Sequence, residues 1–234
     1  MSYTVALIGN PNVGKSVVFN NLVPGARQHV GNWPGKTVDK KYGKCVHKGT
    51  ELNIVDLPGT YSLTARAVDE LIARNFIIEE NPDVVVDIID ASNLERNLYL
   101  TVLLLELDAN VVVALNMMDL SEEKGYKIYV EKLSEQFGIA VIPTVATKRE
   151  GMEKLKDAIL EAAEKKSAGK AKITYSEDVE GLIALTMDII RKDGALAKKY
   201  PLRWMAIKLL ERDEDILEKI KGSSVESEVM EVIA

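Results

Sequence analysis

The stretch YTVALIGNPNVGKS, residues 3–16, decides the fold of this chain. Its apolar run at residues 5–8 is typical of a buried strand, and residues 17–22 have the character of a helix. Between them, residues 9–16 match the pattern G-x-x-x-x-G-K-[ST] at every fixed position. The stretch therefore predicts a strand, a phosphate-binding loop and a helix whose N-terminus faces the phosphates.

The residue types in this loop suit the binding of a triphosphate. Gly9 and Gly14 allow a tight turn that points several backbone N–H groups at one anion. Lys15 adds a positive charge for the β- and γ-phosphates, and the Ser16 hydroxyl is a ligand for Mg²⁺. A chance match of a glycine-rich turn is the alternative for the motif alone, and the flanking strand and helix argue against it. The expected nucleotide contacts are Gly9, Asn10, Pro11, Asn12, Val13, Gly14, Lys15, Ser16 and Val17.

The composition limits the class of protein. The 234 residues are 47% hydrophobic with a formal charge of −6, and no block of Lys and Arg suggests a large nucleic-acid surface. Cys45 is the single cysteine, which excludes an internal disulfide. No apolar run approaches the roughly 20 residues that span a bilayer, and the first strand begins without the charged and apolar regions of a secretory signal. We expect a soluble, cytosolic chain that does not bind nucleic acid.

Apolar strands alternate with helices as far as residue 165, which indicates a sheet covered on both faces. The expected strands are residues 5–8, 38–47, 51–56, 84–90, 111–115 and 140–143. The expected helices are residues 17–22, 68–78, 94–107, 130–137 and 152–165. The fold class is therefore α/β with a mostly parallel six-stranded sheet. Residues 24–37 show little periodicity, and no strand is assigned to them.

A polar stretch at residues 165–170 is a candidate linker. Beyond it, apolar residues recur at helical spacing and predict four short helices within residues 170–234. We therefore expect two domains, a sheet domain at residues 1–166 and a small all-α unit at residues 167–234.

Two further motifs follow strands of the predicted sheet, where parallel sheets bind ligands. In the DLPG sequence at residues 56–59, the Asp56 carboxylate can hold the Mg²⁺ shell through water, and the Gly59 N–H can approach a γ-phosphate. The motif alone is usually only a turn. Its position about forty residues after a phosphate loop, at the end of an apolar strand, makes it informative.

The NMMD sequence at residues 116–119 indicates which base is bound. A carboxylate at Asp119 can accept hydrogen bonds from guanine N1–H and the exocyclic amine together, and adenine lacks that donor pair. Asn116 can bond the base edge and connect this loop to the phosphate loop. A helix-capping turn is the alternative for this motif alone. Three such elements in this order make that alternative improbable.

The three motifs resemble those of the translation-factor-like P-loop GTPases over about residues 1–165. GNWPGKT at residues 31–37, DLPGTYSL at residues 56–63 and DASNLERNLYL at residues 90–100 are similar to the FeoB family of prokaryotic ferrous-iron transport proteins. The YPLRWMAIKLL segment at residues 200–210 is similar to that family's helical, GDI-like spacer. The resemblance implies a Ras-like P-loop GTPase domain followed by a helical spacer.

The resemblance also implies roles for particular residues. Thr37 would contact Mg²⁺ and the γ-phosphate, and Asp56 and Gly59 would belong to switch II. Val145 stands where the family usually has serine, which puts a serine-dependent base contact in doubt, and Met117 replaces the lysine of the general N-K-x-D motif. The contacts implied outside the phosphate loop are Gly35, Lys36, Thr37, Asp56, Leu57, Pro58, Gly59, Asn116, Met117, Asp119, Val145, Ala146 and Thr147. The implied magnesium ligands are Ser16, Thr37 and Asp56.

A potassium site follows from the same resemblance. Thr60 stands where many signalling GTPases have a glutamine that orients water. FeoB-like GTPases with asparagine at the position of Asn12 are potassium-activated, which implies a K⁺ site formed by the Asn12 side chain with the carbonyls of Gly31 and Trp33. The Trp33 side chain is either an exposed aromatic group of the switch or a partner contact. The implied catalytic residues are Asn12, Lys15, Thr37 and Gly59.

The implied activity is slow hydrolysis of GTP to GDP and phosphate, dependent on Mg²⁺ and stimulated by K⁺. The implied partners are GTP and GDP, the transmembrane iron-permease portion of the same full-length protein, and a second copy of the chain. The implied location is the cytoplasmic face of the cell membrane. Two alternatives stay open. One is an Era- or Der-like GTPase of ribosome assembly, although residues 170–234 do not look like a basic RNA-binding module. The other is a non-catalytic GTP/GDP-binding interaction module.

Overall fold

The computed structural model of the chain describes residues 1–33, 38–64, 67–165 and 173–233. Within these ranges the chain forms two compact units. The first consists of Met1–Leu105 and Ala109–Ala171, and the second of Glu106–Asp108 and Lys172–Ala234. The candidate linker at residues 165–170 lies, apart from Lys165, outside the described residues, so the domain boundary between residues 166 and 167 stays a prediction.

A mixed sheet forms the centre of the first unit. Its strands are β1 (Ser2–Gly9), β2 (Gln28–Asn32), β3 (Asp39–His47), β4 (Thr50–Asp56), β5 (Val84–Asp90), β6 (Val111–Asn116) and β7 (Ala140–Pro143). Their spatial order is β2-β3-β4-β1-β5-β6-β7. The strands from β4 to β7 in this order pair in parallel, whereas β2 pairs antiparallel with β3 and β3 antiparallel with β4. The predicted α/β class is confirmed.

The predicted number of six strands is wrong, because the described sheet has seven. The additional strand is β2, within the stretch at residues 24–37 that shows little periodicity. It lies at the sheet edge and pairs only with β3, from Gln28 opposite Gly43 to Asn32 opposite Asp39. Four of its five residues are exposed, so it carries no alternation of buried and exposed side chains from which a strand could be predicted.

Helices follow most of the strands. In the first unit they are α1 (Lys15–Leu22), α2 (Val68–Asn75), α3 (Leu94–Glu106), α4 (Met118–Glu123), α5 (Val130–Phe137) and α6 (Met152–Lys165). A π-helical turn, Phe76–Glu80, continues α2, so the α-helix ends earlier than the predicted residue 78. α4 begins directly inside the NMMD motif and is too short to show an apolar periodicity, so it is not among the predicted helices.

The core explains why the strand of the opening motif is so apolar. Val5 and Leu7 of β1 are fully buried on one face of the sheet, in a cluster with Phe19 of α1 and Ile159 of α6. Ile8 is also fully buried, and strand alternation turns it toward the opposite face. On that face the Thr101 hydroxyl of α3 donates a 2.6 Å hydrogen bond to Asp87 of β5. Both faces of the sheet are therefore covered, as the alternation of strands and helices predicts.

The second unit is helical. Its helices are α7 (Glu177–Ile190), α8 (Gly194–Lys199), α9 (Leu202–Leu210), α10 (Glu214–Ile220) and α11 (Glu226–Ile233). The prediction of four helices lacks α8, a six-residue helix whose Asp193 N-cap accepts hydrogen bonds from two backbone N–H groups. Trp204 of α9 is 1% exposed and belongs to the core of this unit. Among the described residues, no helix of either unit combines the length and apolar character needed to cross a bilayer.

Candidate nucleotide site

The phosphate loop connects β1 to α1 and leaves no room for side chains at its two glycines. Gly14 has φ +87°, and a Cβ added there would lie 2.5 Å from Asn116 Nδ2. A Cβ added to Gly9 would lie 2.4 Å from the carbonyl oxygen of Ile88 in the neighbouring β5. The loop therefore depends on glycine for its backbone conformation at the N-cap of α1 and for its close packing at the end of β1.

Asn116, the last residue of β6, connects the loops at this edge of the sheet. Its Nδ2 donates a 2.9 Å hydrogen bond to the carbonyl oxygen of Val13 in the phosphate loop. Its Oδ1 accepts one hydrogen bond of 3.0 Å from the Ala146 N–H and one of 3.2 Å from the Thr144 hydroxyl. Asn116 is 3% exposed, so these bonds are shielded from water. The predicted connection between the NMMD segment and the phosphate loop is present in the structure.

The remaining residues of the NMMD motif lie beside this connection. Met117 has a left-handed backbone, with φ 60°, and its terminal methyl lies 3.8 Å from the position that a Cβ on Gly14 would take. Asp119 stands in the first turn of α4, where Oδ1 accepts a 3.0 Å hydrogen bond from the Leu120 N–H and Oδ2 lies 3.1 Å from Lys148 Nζ. The hydrogen bond from Lys148 lowers the pKa of the Asp119 carboxyl, so Asp119 is an anion at neutral pH.

The DLPG segment follows β4 and lies against the phosphate loop. The Thr60 N–H donates a 3.1 Å hydrogen bond to the Gly9 carbonyl, and a Cβ on Gly59 would be 3.6 Å from the Pro11 backbone. Asp56 is 7% exposed and forms an ion pair with Lys15. The ends of β1 and β4 therefore bring their motif residues to one place, next to the N-terminus of α1.

The side chains at this place suit Mg²⁺. Asp56 supplies a carboxylate and Ser16 a hydroxyl, and oxygen donors of this kind are the ligands that Mg²⁺ prefers. Asp56 is buried, and the Lys15 ammonium pairs with one of its carboxylate oxygens. The remaining acceptor positions of the carboxylate are available for a metal ion or its water shell. Gly35, Lys36 and Thr37, which the sequence analysis places in the same site, lie outside the described residues.

The residues implied in a potassium site lie on two segments. Asn12 is exposed in the phosphate loop with φ 69°. Gly31 lies in β2 opposite Lys40, and the Trp33 N–H donates a 2.9 Å hydrogen bond to the Val38 carbonyl. Of the two interpretations of Trp33, the exposed aromatic group is wrong, because the residue is 7% exposed and its ring packs edge-on against Phe76, and the partner contact stays a prediction.

Three residues of the site have contacts that the sequence did not predict, although two of them are the first and last residues of the stretch at residues 144–148 that the resemblance implies for base contact. Thr144 bonds Asn116, and Lys148 pairs with Asp119. Asn21 Nδ2 donates a 2.7 Å hydrogen bond to the Ala146 carbonyl and so holds the loop after β7 from the side of α1. A polar residue among the apolar positions of α1 was the only signal for Asn21. The sequence carries no signal for the contacts of Thr144 and Lys148, because those contacts depend on which strand ends become neighbours in the sheet.

A mostly parallel sheet that carries a phosphate loop after its first strand and an Asn116–Asp119 pair at the end of β6 defines a Ras-like P-loop GTPase domain. Comparison with family models agrees with this class. The model described as ferrous iron transport protein B matches residues 3–159, and the model of the FeoB cytosolic helical domain matches residues 175–234. The chain belongs to the FeoB family of ferrous iron transport proteins.

Individual proteins agree with the family. The chain is 50% identical over 232 residues to an Fe(2+) transporter FeoB of Methanocaldococcus jannaschii, a match that covers 99% of this chain and 34% of that protein. It is 41% identical over 221 residues to the Fe(2+) transporter FeoB of Escherichia coli K12, covering 90% of this chain and 27% of the relative. The chain thus spans about a third or less of the length of these relatives.

Solved structures show the same fold. The cytosolic domain of T. maritima FeoB in apo form has a TM-score of 0.87 at 34% identity, covering 100% of this chain and 93% of that one. The cytosolic domain of L. pneumophila FeoB has a TM-score of 0.84 at 38% identity, covering 98% and 88%. A point mutant of S. thermophilus NFeoB bound to mGDP has a TM-score of 0.85 at 34% identity, covering 100% and 88%.

Proposed function

We propose that this chain binds GTP and hydrolyses it to GDP and phosphate, with Mg²⁺ required and K⁺ as an activator, and that the reaction serves ferrous iron transport. The hydrogen bonds of Asn116 support the proposal most directly. They join the phosphate loop at Val13 to the loop at Ala146, and Asp119 stands one helical turn beyond. A phosphate site at this loop and a base-reading carboxylate at Asp119 would thereby lie at one edge of the sheet.

The phosphates would lie on the backbone N–H groups of the loop and the N-terminus of α1. Lys15 would leave Asp56 for the β- and γ-phosphates, where its charge offsets the charge of the leaving group. Ser16, Asp56 and Thr37 would hold Mg²⁺, which supplies further charge neutralisation when bound. The Gly59 N–H would orient the γ-phosphate.

Water activation at this site cannot use a glutamine after the DLPG motif, because Thr60 takes that position and its hydroxyl donates to the Ser62 carbonyl at 2.7 Å. We assign the stabilisation of developing charge between the β- and γ-phosphates to K⁺ held by Asn12 with the carbonyls of Gly31 and Trp33. The exposure of Asn12 leaves its side chain accessible to a cation.

The choice of base would rest on Asp119. Its carboxylate would accept from guanine N1–H and the exocyclic amine, and adenine would leave it unpaired. The Ala146 N–H already donates to Asn116, so any contact from this loop to the guanine O6 falls to its other backbone groups. Met117 would supply apolar cover for the loop.

Nucleotide binding and turnover with GTP, ATP and XTP test the proposal. We expect the protein to prefer GTP, and Asp119→Asn to transfer the preference to XTP, because the asparagine amide can donate to the xanthine O2 while accepting from N1–H. Lys132→Met on α5 is a control that leaves the preference unchanged. A preference of the unmodified protein for ATP, or binding of neither nucleotide, would exclude this function.

Turnover in K⁺ and in Na⁺ at equal ionic strength tests the activator. We expect faster hydrolysis in K⁺, and Asn12→Ala to abolish the difference while GDP binding is retained. Equal rates of the unmodified protein in the two salts would remove the role assigned to Asn12.

The role in iron transport comes from the relatives, which are named Fe(2+) transporters. We propose that the chain works at the cytoplasmic face of the membrane, together with a transmembrane iron-permease portion of a longer protein and with further copies of itself. Asp119→Asn in the full-length protein should reduce iron uptake unless XTP is supplied. Uptake at the normal rate with GTP alone would separate the GTPase from transport.

A further inference from the structure

The carboxylate that we assign to guanine recognition already has a partner within the chain. Lys148 Nζ lies 3.1 Å from Asp119 Oδ2, and the Asp119 side chain is 29% exposed. The ammonium thus occupies one of the two carboxylate oxygens, while the Leu120 N–H bonds the other. Guanine N1–H and the exocyclic amine need the same oxygens.

Lys148 is held near this carboxylate by the backbone of its loop. The Ala146 N–H bonds Asn116, the Ala146 carbonyl accepts from Asn21, and the Lys148 N–H donates to the Val145 carbonyl at 2.9 Å. These bonds fix where the Lys148 side chain begins. Its four-carbon stem is half-exposed, with 57% of the side chain accessible, so the ammonium can move away while the loop stays in place.

The carboxylates around Lys148 stabilise its charged form, but the ion pair between Lys148 and Asp119 is still weak. Asp119 raises the pKa of the Lys148 ammonium, and Glu150 and Glu123 act in the same direction from further away. An exposed ion pair of this kind is weak and is screened by salt. A base can therefore displace the ammonium, and loss of the ion pair is a small cost of binding the base.

We propose that Lys148 competes with guanine for the Asp119 carboxylate and thereby sets the affinity and release rate of the nucleotide. The inference rests on the proposed function, because it takes Asp119 as the group that reads guanine. Guanine must displace the ammonium to bind, which lowers its affinity. As the base begins to leave, the ammonium pairs again with the carboxylate, which lowers the barrier to release.

The same competition reduces discrimination between bases. Adenine lacks the N1–H and exocyclic amine donor pair of guanine, and with Lys148 in place Asp119 is not left unpaired when adenine is present. Removal of the ammonium therefore strengthens the binding of guanine nucleotides and does not strengthen the binding of adenine nucleotides.

The test compares Lys148→Met, which removes the charge and keeps an apolar stem, with Lys148→Arg, which keeps the charge. Lys124→Met is the matched control, because Lys124 bonds Ser92 at 3.1 Å and does not contact Asp119. Dissociation constants and release rates are measured for GDP and ADP at about 50 mM and about 500 mM KCl, either side of the ionic strength at which surface pairs are screened.

We expect Lys148→Met to bind GDP about twofold to fivefold more tightly at low salt and to release it correspondingly more slowly. The ratio of the two proteins' dissociation constants should approach one at high salt, since screening removes the competitor from the unmodified protein. ADP binding should not become tighter. Lys148→Arg and Lys124→Met should behave like the unmodified protein.

Equal or weaker GDP binding by Lys148→Met at low salt would overturn the inference while leaving the proposed function in place. A gain in affinity that does not change with salt would also overturn it, because it would show a packing effect. Failure of the unmodified protein to bind GDP would instead remove the proposed function. Lys148→Gln provides a second neutral variant, and carboxyl-carbon NMR of protein freed of nucleotide should show a higher pKa for Asp119 in both neutral variants.

Discussion

The base side and the phosphate side of the nucleotide site are held together by different forces. On the base side, buried hydrogen bonds from the Asn116 side chain cross between three segments of chain. On the phosphate side, the main contacts are backbone bonds such as Thr60 N–H to the Gly9 carbonyl, together with the ion pair between Lys15 and Asp56. The base side is fixed by neutral side-chain bonds shielded from water, and the phosphate side by backbone bonds and one ion pair.

The difference teaches which part of the site a ligand can rearrange. A γ-phosphate and a metal ion would change the charges that Lys15 and Asp56 meet, so we expect the phosphate side to respond to the state of the nucleotide. Neutral bonds around Asn116 do not depend on those charges, so we expect the base side to change less when a nucleotide binds. Asp119 with Lys148 is the exception on the base side, because that pair is charged and accessible.

The largest effect is expected for Asn116→Ala. The substitution removes three hydrogen bonds and leaves the buried Val13 carbonyl and Ala146 N–H without partners. We expect a loss of about 2–4 kcal/mol in the free energy of unfolding, measured by urea denaturation, and a drop of about tenfold or more in GDP affinity. Thr144→Val removes one bond and should cost about 1 kcal/mol. Equal costs for both variants would show that Asn116 does not join the loops.

An effect of intermediate size is expected for Asp87→Asn. Asp87 lies in β5, which pairs with β1 of the phosphate side and with β6 of the base side. Asp87 is fully buried, Oδ1 has no hydrogen-bond partner among the described residues, and burial raises the pKa of the carboxyl to about 7. The folded protein thus binds this proton more tightly than the unfolded chain. The stability that comes from protonation of Asp87 is fully present below the ordinary pKa of 3.8, and it is lost as the pH rises through about 7.

Asp87→Asn should remove this dependence. We expect the variant to be more stable than the unmodified protein at pH 8, by about 2 kcal/mol, and similar to it at pH 4. Urea denaturation at both values measures the difference. GDP affinity at pH 8 should not change, because Asp87 is not one of the residues assigned to the nucleotide site. A pH profile of stability identical to that of the unmodified protein would show that Asp87 is charged in the folded state.

The smallest effect is expected for Met117. Met117→Ala removes the methyl group that lies next to Gly14, and we expect GDP affinity to fall about threefold. Met117→Lys, which restores the lysine of the general N-K-x-D motif, should keep the apolar stem and bind GDP about as well as the unmodified protein. A larger loss for the lysine variant than for the alanine variant would identify the positive charge, and not lost cover, as the decisive factor.

Prediction from the sequence succeeded where one local rule dominates. β1, the phosphate loop and α1 follow from an apolar run and fixed glycines, and α5, β7 and α6 have their predicted bounds. β2 was not predicted, because an exposed edge strand has no alternation of buried and exposed side chains. α8 was not predicted, because a short capped helix shows no periodicity of apolar residues. The site residues of the three motifs could be named in advance, although their contacts with a nucleotide remain predictions.

The sequence by itself determined the class of the domain and the positions of the phosphate loop, the DLPG segment and the NMMD segment, because each needs particular residues at a fixed spacing within one short stretch. Only the tertiary structure decided which side chains meet. Asn116 and Val13 are 103 positions apart in the chain, and Asn21 and Ala146 are 125 apart. Such pairs depend on which strand ends become neighbours, and strand order is a property of the whole sheet and not of any one segment.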